Sequence, residues 1–558
     1  MKKVLVVGSG IAGLSSAISC AEKGMEVTLV SPFPSERSQS VLAAGGINAV
    51  TEKCDTGDSI ESHIQDTLNG GCNIAGKAAV TGLCQSAAEI IQWLTELGTV
   101  FTTTEDGTVC HRAFGGQSFK RTKFCGASTG KQIVTALVME ARRLEGLGKI
   151  TRRLWLDFYS ALIKDGVCFG AIFYNEQTHE LEMIKADSVV IATGGQNALF
   201  GETTGSRLCD GYTAGKLFMQ GVELKNLEFI QYHPTTITTG QKKMLVSEAV
   251  RGEGGRLYCE ENGKRVYFME DKFGAKGNLM PRDVVSRCMD ETGKQVFLDI
   301  SFLGKEKILQ KIPEVYNLCK KYRGIDISKE SIPVSPSVHF FMGGIAVKNN
   351  HETNVKNLYA VGECASIYHG ANRLGGNSLL AAIYSGKVAA SSIEKTEASE
   401  NTLNGTDDSF GNDKKSPDFE RELREETEKL EVLKASKSPF PVMYVRAMLS
   451  ETMQKNLGIS RSGEKLQEGI DDVSFYLSVA DKIHYDNSEL LYFGYSLKAI
   501  LTLAKATFIS AQSRRESRGA HYRRDFPTAN PECAAATIIS YDGGTFRTWL
   551  DVEGKYES

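Results

Sequence analysis

The sequence predicts an α/β protein: a domain built on a parallel sheet, interrupted by an inserted α+β capping domain and followed by a helical domain. Three observations predict it. The chain opens on a short apolar run, Val4-Leu5-Val6-Val7, which meets a glycine-rich turn and then apolar residues at helical spacing. Two later apolar runs, Ser188–Ala192 and Asn357–Val361, also end in glycine, the pattern of sheet strands with a ligand at their carboxyl ends. Composition then changes twice, to polar turns with short apolar stretches over 236–340 and to amphipathic Glu-, Lys-, Leu- and Ala-rich sequence from 418.

In the opening segment, residues 4–7 read as a buried strand and the helix runs to about Lys23. Gly24 ends it, and Met25–Val30 is the next strand. Gly8, Gly10 and Gly13 between strand and helix have the G-x-G-x-x-G spacing. The first glycine permits a tight turn, the second lets a pyrophosphate approach the backbone, and the third lets helix and strand pack closely. The helix N-terminus then offers free N–H groups and a positive dipole end to the phosphates. The opening is therefore a Rossmann-like dinucleotide site. Ser31 stands where an acid that holds the ribose of NAD often ends the second strand, and no second glycine fingerprint follows. FAD is favoured over NAD.

The expected boundaries are 1–235 with 341–396 for the FAD-binding domain and 236–340 for the capping domain. A polar linker covers 397–417, a helical domain 418–525, and a tail with strand and turn content 526–558. A chain of 558 residues exceeds one hydrophobic core. The net charge of −3 gives no nucleic-acid surface. No apolar run reaches the roughly 18 residues needed to span a bilayer. Met1-Lys2-Lys3 before an apolar run superficially resembles a signal peptide, but the run is short and enters a glycine turn, so a cytoplasmic location is expected. The 13 cysteines form no C-x-x-C pair and no zinc or iron–sulfur spacing, so no metal site is expected and they read as small buried hydrophobes.

Several short blocks concentrate cationic and imidazole groups. They are Gln231-Tyr232-His233-Pro234-Thr235, Ser247-Glu248-Ala249-Val250-Arg251-Gly252-Glu253-Gly254-Gly255, Pro281-Arg282-Asp283, Val338-His339-Phe340-Phe341-Met342-Gly343-Gly344 and His369-Gly370-Ala371-Asn372-Arg373-Leu374-Gly375-Gly376-Asn377-Ser378. Singly, each has a structural reading; Glu248 and Arg251 at i,i+3 suit a helical ion pair. Together, beside Gly-Gly pairs and flanking the inserted domain, they describe a cleft that suits a dianion, because an Arg fork binds carboxylate bidentately.

With Gly45-Gly46-Ile47-Asn48-Ala49, Phe114-Gly115-Gly116-Gln117, Arg121-Thr122 and Arg515-Glu516-Ser517-Arg518-Gly519-Ala520-His521, the set resembles the flavoprotein subunits of the complex II family, succinate dehydrogenase and fumarate reductase. The resemblance runs over nearly the whole chain. It implies that His233, Ser247, Glu248, His339 and Arg373 hold the carboxylates of fumarate or succinate and that Phe114 presses on the substrate. It implies that Arg282 donates the proton, fed through Glu248 and Arg251; from the residues alone a histidine is the expected acid. For FAD it implies Gly8, Gly10, Ala12, Gly13, Ser31, Gly45, Gly46, Gly194 and Asp210, with Glu363 on sugar hydroxyls. Ser378 and Leu379 would face the flavin pyrimidine at a helix N-terminus that favours the anionic reduced form. An iron–sulfur partner subunit is implied, and indirect association with a membrane through partners is left open.

Ala44 and Cys209 depart from the family pattern and read as packing changes. Gln39 stands where membrane-bound members carry the histidine that bonds FAD. Glutamine cannot form that bond, so FAD is expected to be non-covalent and its potential lower. A drop of ~60 mV would remove ~3 kcal/mol from succinate oxidation, which favours fumarate reduction to succinate as the working direction. The alternatives are an L-aspartate oxidase, a reductase of another unsaturated acid, and a non-catalytic FAD-binding assembly subunit.

Overall fold

The computed structural model describes the chain apart from residues 52–56, 127, 241, 397–417, 436–439, 485–489 and 558. The expected linker, 397–417, thus lies outside the described residues.

A five-stranded parallel sheet forms the base, in the order Leu358–Ala360, Ser188–Ile191, Lys3–Val7, Glu26–Ser31, Ile150–Leu154. Val4 to Val7 are buried, which is why this strand reads as an unbroken apolar run. The helix Ile11–Glu22 is buried at every position from Ile11 to Ala21. It packs so tightly on the helix Asn377–Lys395 that a Cβ on Gly386 would lie 2.8 Å from Ala12 O. An antiparallel three-stranded layer, Leu156–Lys164, Val167–Asn175 and Glu180–Lys185, covers one end.

The second large sheet is antiparallel and six-stranded, built on Ile230–Thr239 and Ile332–Phe341. Most of its apolar residues form a cluster of their own, from Ile237 to Val334, while Ile230, Val338 and Phe341 belong to the main core. The expected boundaries at 236 and 340 fall inside these two paired strands, so the two units share one continuous ladder. That ladder pairs Tyr232 with Val338 and His233 with Ser337, which sets His233 and His339 on neighbouring strands.

Beyond residue 417, helices Phe419–Lys434, Val442–Asn456, Gly463–Ala480 and Leu491–Ser513 pack into the main core rather than forming a separate one. The C-terminal hairpin, Thr537–Asp542 with Thr545–Leu550, extends a small sheet beside Leu224–Lys225. Among the described residues, no helix is long and apolar enough to cross a membrane.

Candidate active site

The carboxyl ends of the parallel strands open into a cavity of about 1010 Å³. The turns around it exclude any side chain larger than hydrogen. A Cβ on Gly13 would sit 1.8 Å from Gly8 O, and one on Gly8, at φ +108°, would sit 2.4 Å from Ala192 O. Gly46, at φ +137°, is pressed against Lys123 O in the same way. The helix Ile11–Glu22 has no acid in its first turn and no side-chain N-cap of its own; Ser40 Oγ accepts from Ile11 N at 3.1 Å. This is a cradle for a phosphate, and the cavity around it has room for a dinucleotide.

Gly8, Gly10, Ala12, Ser31, Gly45, Gly46, Gly194, Asp210, Glu363, Ser378 and Leu379 all line this cavity. Gly13 lies behind the turn and does not. Asp210 is fixed from the helical region, by Arg446 at 3.1 Å and Tyr492 Oη at 2.8 Å. Glu363 Oε1 accepts from Phe341 N at 3.1 Å. Burial pushes the Glu363 carboxyl up to about 7 against the pull of Phe341 N and Arg373. The helix Asn377–Lys395 starts at Gly376, in the left-handed region at φ +84°, and presents a first turn free of acids. Gln39 also lines the cavity, and its Oε1 accepts from Ser206 N.

Arg282, His339, Arg373 and Phe114 reach the same cavity. Arg282 opens the helix Arg282–Thr292 of the capping unit; Arg373 comes from the loop before Gly376. His233 lies just behind, its ring 5.2 Å from that of His339. Burial, and then the positive charge of Arg282 with other neighbours, holds both imidazoles well below the usual range, so both are neutral. His233 Nε2 is buried with no partner, and His339 Nδ1 meets Thr204 Oγ1 at 2.8 Å. Phe114 sits between Gly45 and Gly375; a Cβ on either would come within 3.2 and 3.0 Å of it.

Glu248 does not line the cavity but stands behind Arg282. Its Oε2 accepts from Arg282 Nε at 2.9 Å and Nη2 at 2.7 Å, and its Oε1 accepts from Gly115 N at 3.1 Å. Arg251 Nη2 lies 3.1 Å from the same Oε1. Burial would raise the Glu248 carboxyl, but Arg282 and Arg251 outweigh it and hold it down to about 2. Arg251 is itself buried and its charged form disfavoured by that burial. Burial and the like charge of Arg282 bring Arg373 down to about 9. Ser247 Oγ turns instead to Ala249 N, at 3.3 Å, and lies outside the cavity lining.

Gln231, Asn372, Thr204, Arg446 and Tyr492 hold site residues in place, and no role for them was read from the sequence. Gln231 and His233 are two apart on one strand and both buried, an alternation that could have flagged the first from the second. The other four come from loops or distant helices and leave no local signal.

Residues 3–379 match the family described as FAD binding domain, and residues 446–552 match that described as fumarate reductase flavoprotein C-term. The succinate dehydrogenase flavoprotein subunit of Bacillus subtilis is 35% identical over 545 residues, 95% of this chain and 92% of that protein. The L-aspartate oxidase of Pseudomonas aeruginosa is 32% identical over 96% of this chain and 97% of that protein. Among solved structures, a mutant of E. coli quinol fumarate reductase FrdA superposes with a TM-score of 0.89 at 29% identity, over 99% of this chain and 97% of that one. A glycine cradle shaped for FAD, a cationic pocket opening from it and relatedness along almost the full length place this chain in the succinate dehydrogenase and fumarate reductase flavoprotein family, as an FAD-dependent oxidoreductase.

Proposed function

We propose that this protein reduces fumarate to succinate, as the catalytic subunit of a larger assembly with an iron–sulfur partner. The observation that carries this reading is the pocket itself. Two buried guanidiniums, Arg282 and Arg373, and two neutral imidazoles, His233 and His339, converge at the end of the cavity, with a carboxylate–guanidinium pair behind Arg282.

When bound in the cradle lined by Gly8, Gly10 and Gly46, FAD would supply hydride chemistry to one alkene carbon. Charge then grows on the far carbon and its carboxylate, and the work of the chain is to meet it. Arg373 and the two imidazoles are donors fixed before the reaction, so they stabilise that charge without reorganising. Phe114, wedged between Gly45 and Gly375, closes the pocket over the substrate and excludes water. Arg282 gives its proton to the far carbon, and the Glu248 carboxylate, touching both Arg282 and Arg251, relays one to it from the Arg251 side. A reduced carrier upstream restores the electrons; with no iron–sulfur cysteine spacing in this sequence, an iron–sulfur partner is the reading proposed.

Gln39 has no atom able to form the bond that a histidine makes to the flavin, so FAD is held without a covalent link. Acid precipitation should release all the flavin into solution; a fluorescent flavin band on a denaturing gel would refute this. The reaction itself is tested with dithionite-reduced viologen. Fumarate should bleach the dye faster than succinate reduces an acceptor. Equal or faster succinate oxidation reverses the direction, and peroxide release on adding aspartate with no fumarate activity replaces the reading with that of an L-aspartate oxidase.

A further inference from the structure

Gln231 is fully buried and has every hydrogen-bonding valence filled. Its Oε1 accepts from Arg282 Nη1 at 3.0 Å and from Arg373 Nη2 at 3.0 Å. Its Nε2 donates to Asn372 Oδ1 at 2.8 Å and to Arg373 O at 2.8 Å. Both amide ends are therefore determined. The reverse orientation would set an NH2 group against two guanidiniums and an oxygen against two oxygens. Asn372 Nδ2 in turn donates to Asp283 Oδ1 at 2.8 Å. A closed ring results, running from Gln231 through Arg282 and its neighbour Asp283 to Asn372, Arg373 and back. It joins the capping helix Arg282–Thr292 to the loop that carries Arg373.

One neutral oxygen thus gathers two like charges, which repel. The partners of the two arginines differ. Arg282 has Glu248. Among the described residues Arg373 makes no ion pair with a carboxylate: it rests over the Phe340 ring, 4.3 Å from its centre, and its Nε has no partner. A glutamate at position 231 would bind both guanidiniums more strongly through one oxygen, while setting its other against Asn372 Oδ1 and Arg373 O. It would also cancel a charge that a ligand could otherwise use. An amide aligns them and cancels nothing.

Resting on the reading of this pocket as a dicarboxylate site, we propose that Gln231 is a positioning residue that sets Arg282 and Arg373 at the spacing of a dicarboxylate and, by being neutral, keeps the pocket selective for dianions over monoanions. The side chain needs no contact with the ligand for this. Its effect is carried by the two arginines.

The test uses the FAD-loaded protein and malonate, a dicarboxylate that cannot be reduced, with acetate as the monoanion, followed by the change in flavin absorbance. Wild type should bind malonate far more tightly than acetate. Gln231→Glu should weaken malonate by at least about tenfold, a loss of ~1.4 kcal/mol, with acetate weakened much less. Gln231→Met, which removes the tether and adds no charge, should weaken malonate less than Gln231→Glu. Absence of malonate binding in wild type would sink the dicarboxylate reading. Wild-type binding with Gln231→Glu within twofold of it, or equal losses in the two variants, would overturn the role given to Gln231.

Discussion

Glu248→Gln isolates the group that connects the two buried arginines behind the pocket. The carboxylate is buried and accepts from Arg282 twice, at 2.7 and 2.9 Å, and from Gly115 N at 3.1 Å. Holding its carboxyl at about 2, against the usual 4.5, corresponds to about 3 kcal/mol of folded-state stability at ~1.4 kcal/mol per pH unit. The sign follows from a lowered carboxyl: the stability is present above pH 4.5 and is lost as pH falls towards 2. Glutamine keeps an acceptor for one guanidinium but turns an NH2 towards another cation, and leaves Arg251 and Arg282 mutually uncompensated. Unfolding of the FAD-loaded variant at pH 7 should therefore cost about 2–4 kcal/mol less than for wild type. The same substitution stops the return of the proton to Arg282. Fumarate reduction should fall by about 100-fold or more in kcat, with the flavin spectrum and FAD content unchanged and KM moved little. Activity within fivefold of wild type, in a variant with full FAD content, would refute the relay.

Three further outcomes follow from the same structure. Arg373→Gln removes the cavity-lining guanidinium that rests over the Phe340 ring and should raise KM for fumarate by about tenfold or more, from the loss of a charge-assisted contact; steady-state kinetics at saturating donor would read it, and an unchanged KM would count against the assignment. Gly13→Ala drives a Cβ to 1.8 Å from Gly8 O, so the purified protein should lose its FAD, as the ratio of protein to flavin absorbance would show. His63 and His351, held down to about 4, and His369, held to about 3, are all lowered first by burial, and remain neutral in the fold while unfolded imidazole protonates near 6.5. Each withdraws up to ~1.4 kcal/mol of stability per pH unit below 6.5, so the thermal midpoint should fall steadily from pH 7 to pH 5; a flat or rising midpoint would contradict the burial.

Much of the nucleotide end was legible because its constraints are local. Gly8, Gly10 and Gly13 act within one turn, and that turn forms whatever the rest of the chain does. The strand and helix on either side follow from periodicities that any window of a dozen residues displays. Boundaries were less legible. Residues 236 and 340 looked like edges because composition changes there, yet the strands Ile230–Thr239 and Ile332–Phe341 run straight through them. The helices beyond 417 bury their apolar faces in the main core, which no pattern within a helix can disclose.

By itself, then, the sequence determined the parallel-sheet dinucleotide domain, the preference for FAD and the inventory of cationic groups, since these depend on short-range sterics and on which side chains are present. Only the tertiary structure decided which of those groups meet. Gln231 touches residues 51 and 142 positions away, and Asp210 is held by Arg446, 236 positions away. Ser247, drawn from the same block as Glu248, turned away from the pocket to cap its own backbone. Charge and identity are written along the chain, but distance between guanidiniums is fixed by how two strands, a helix and a loop close on one another.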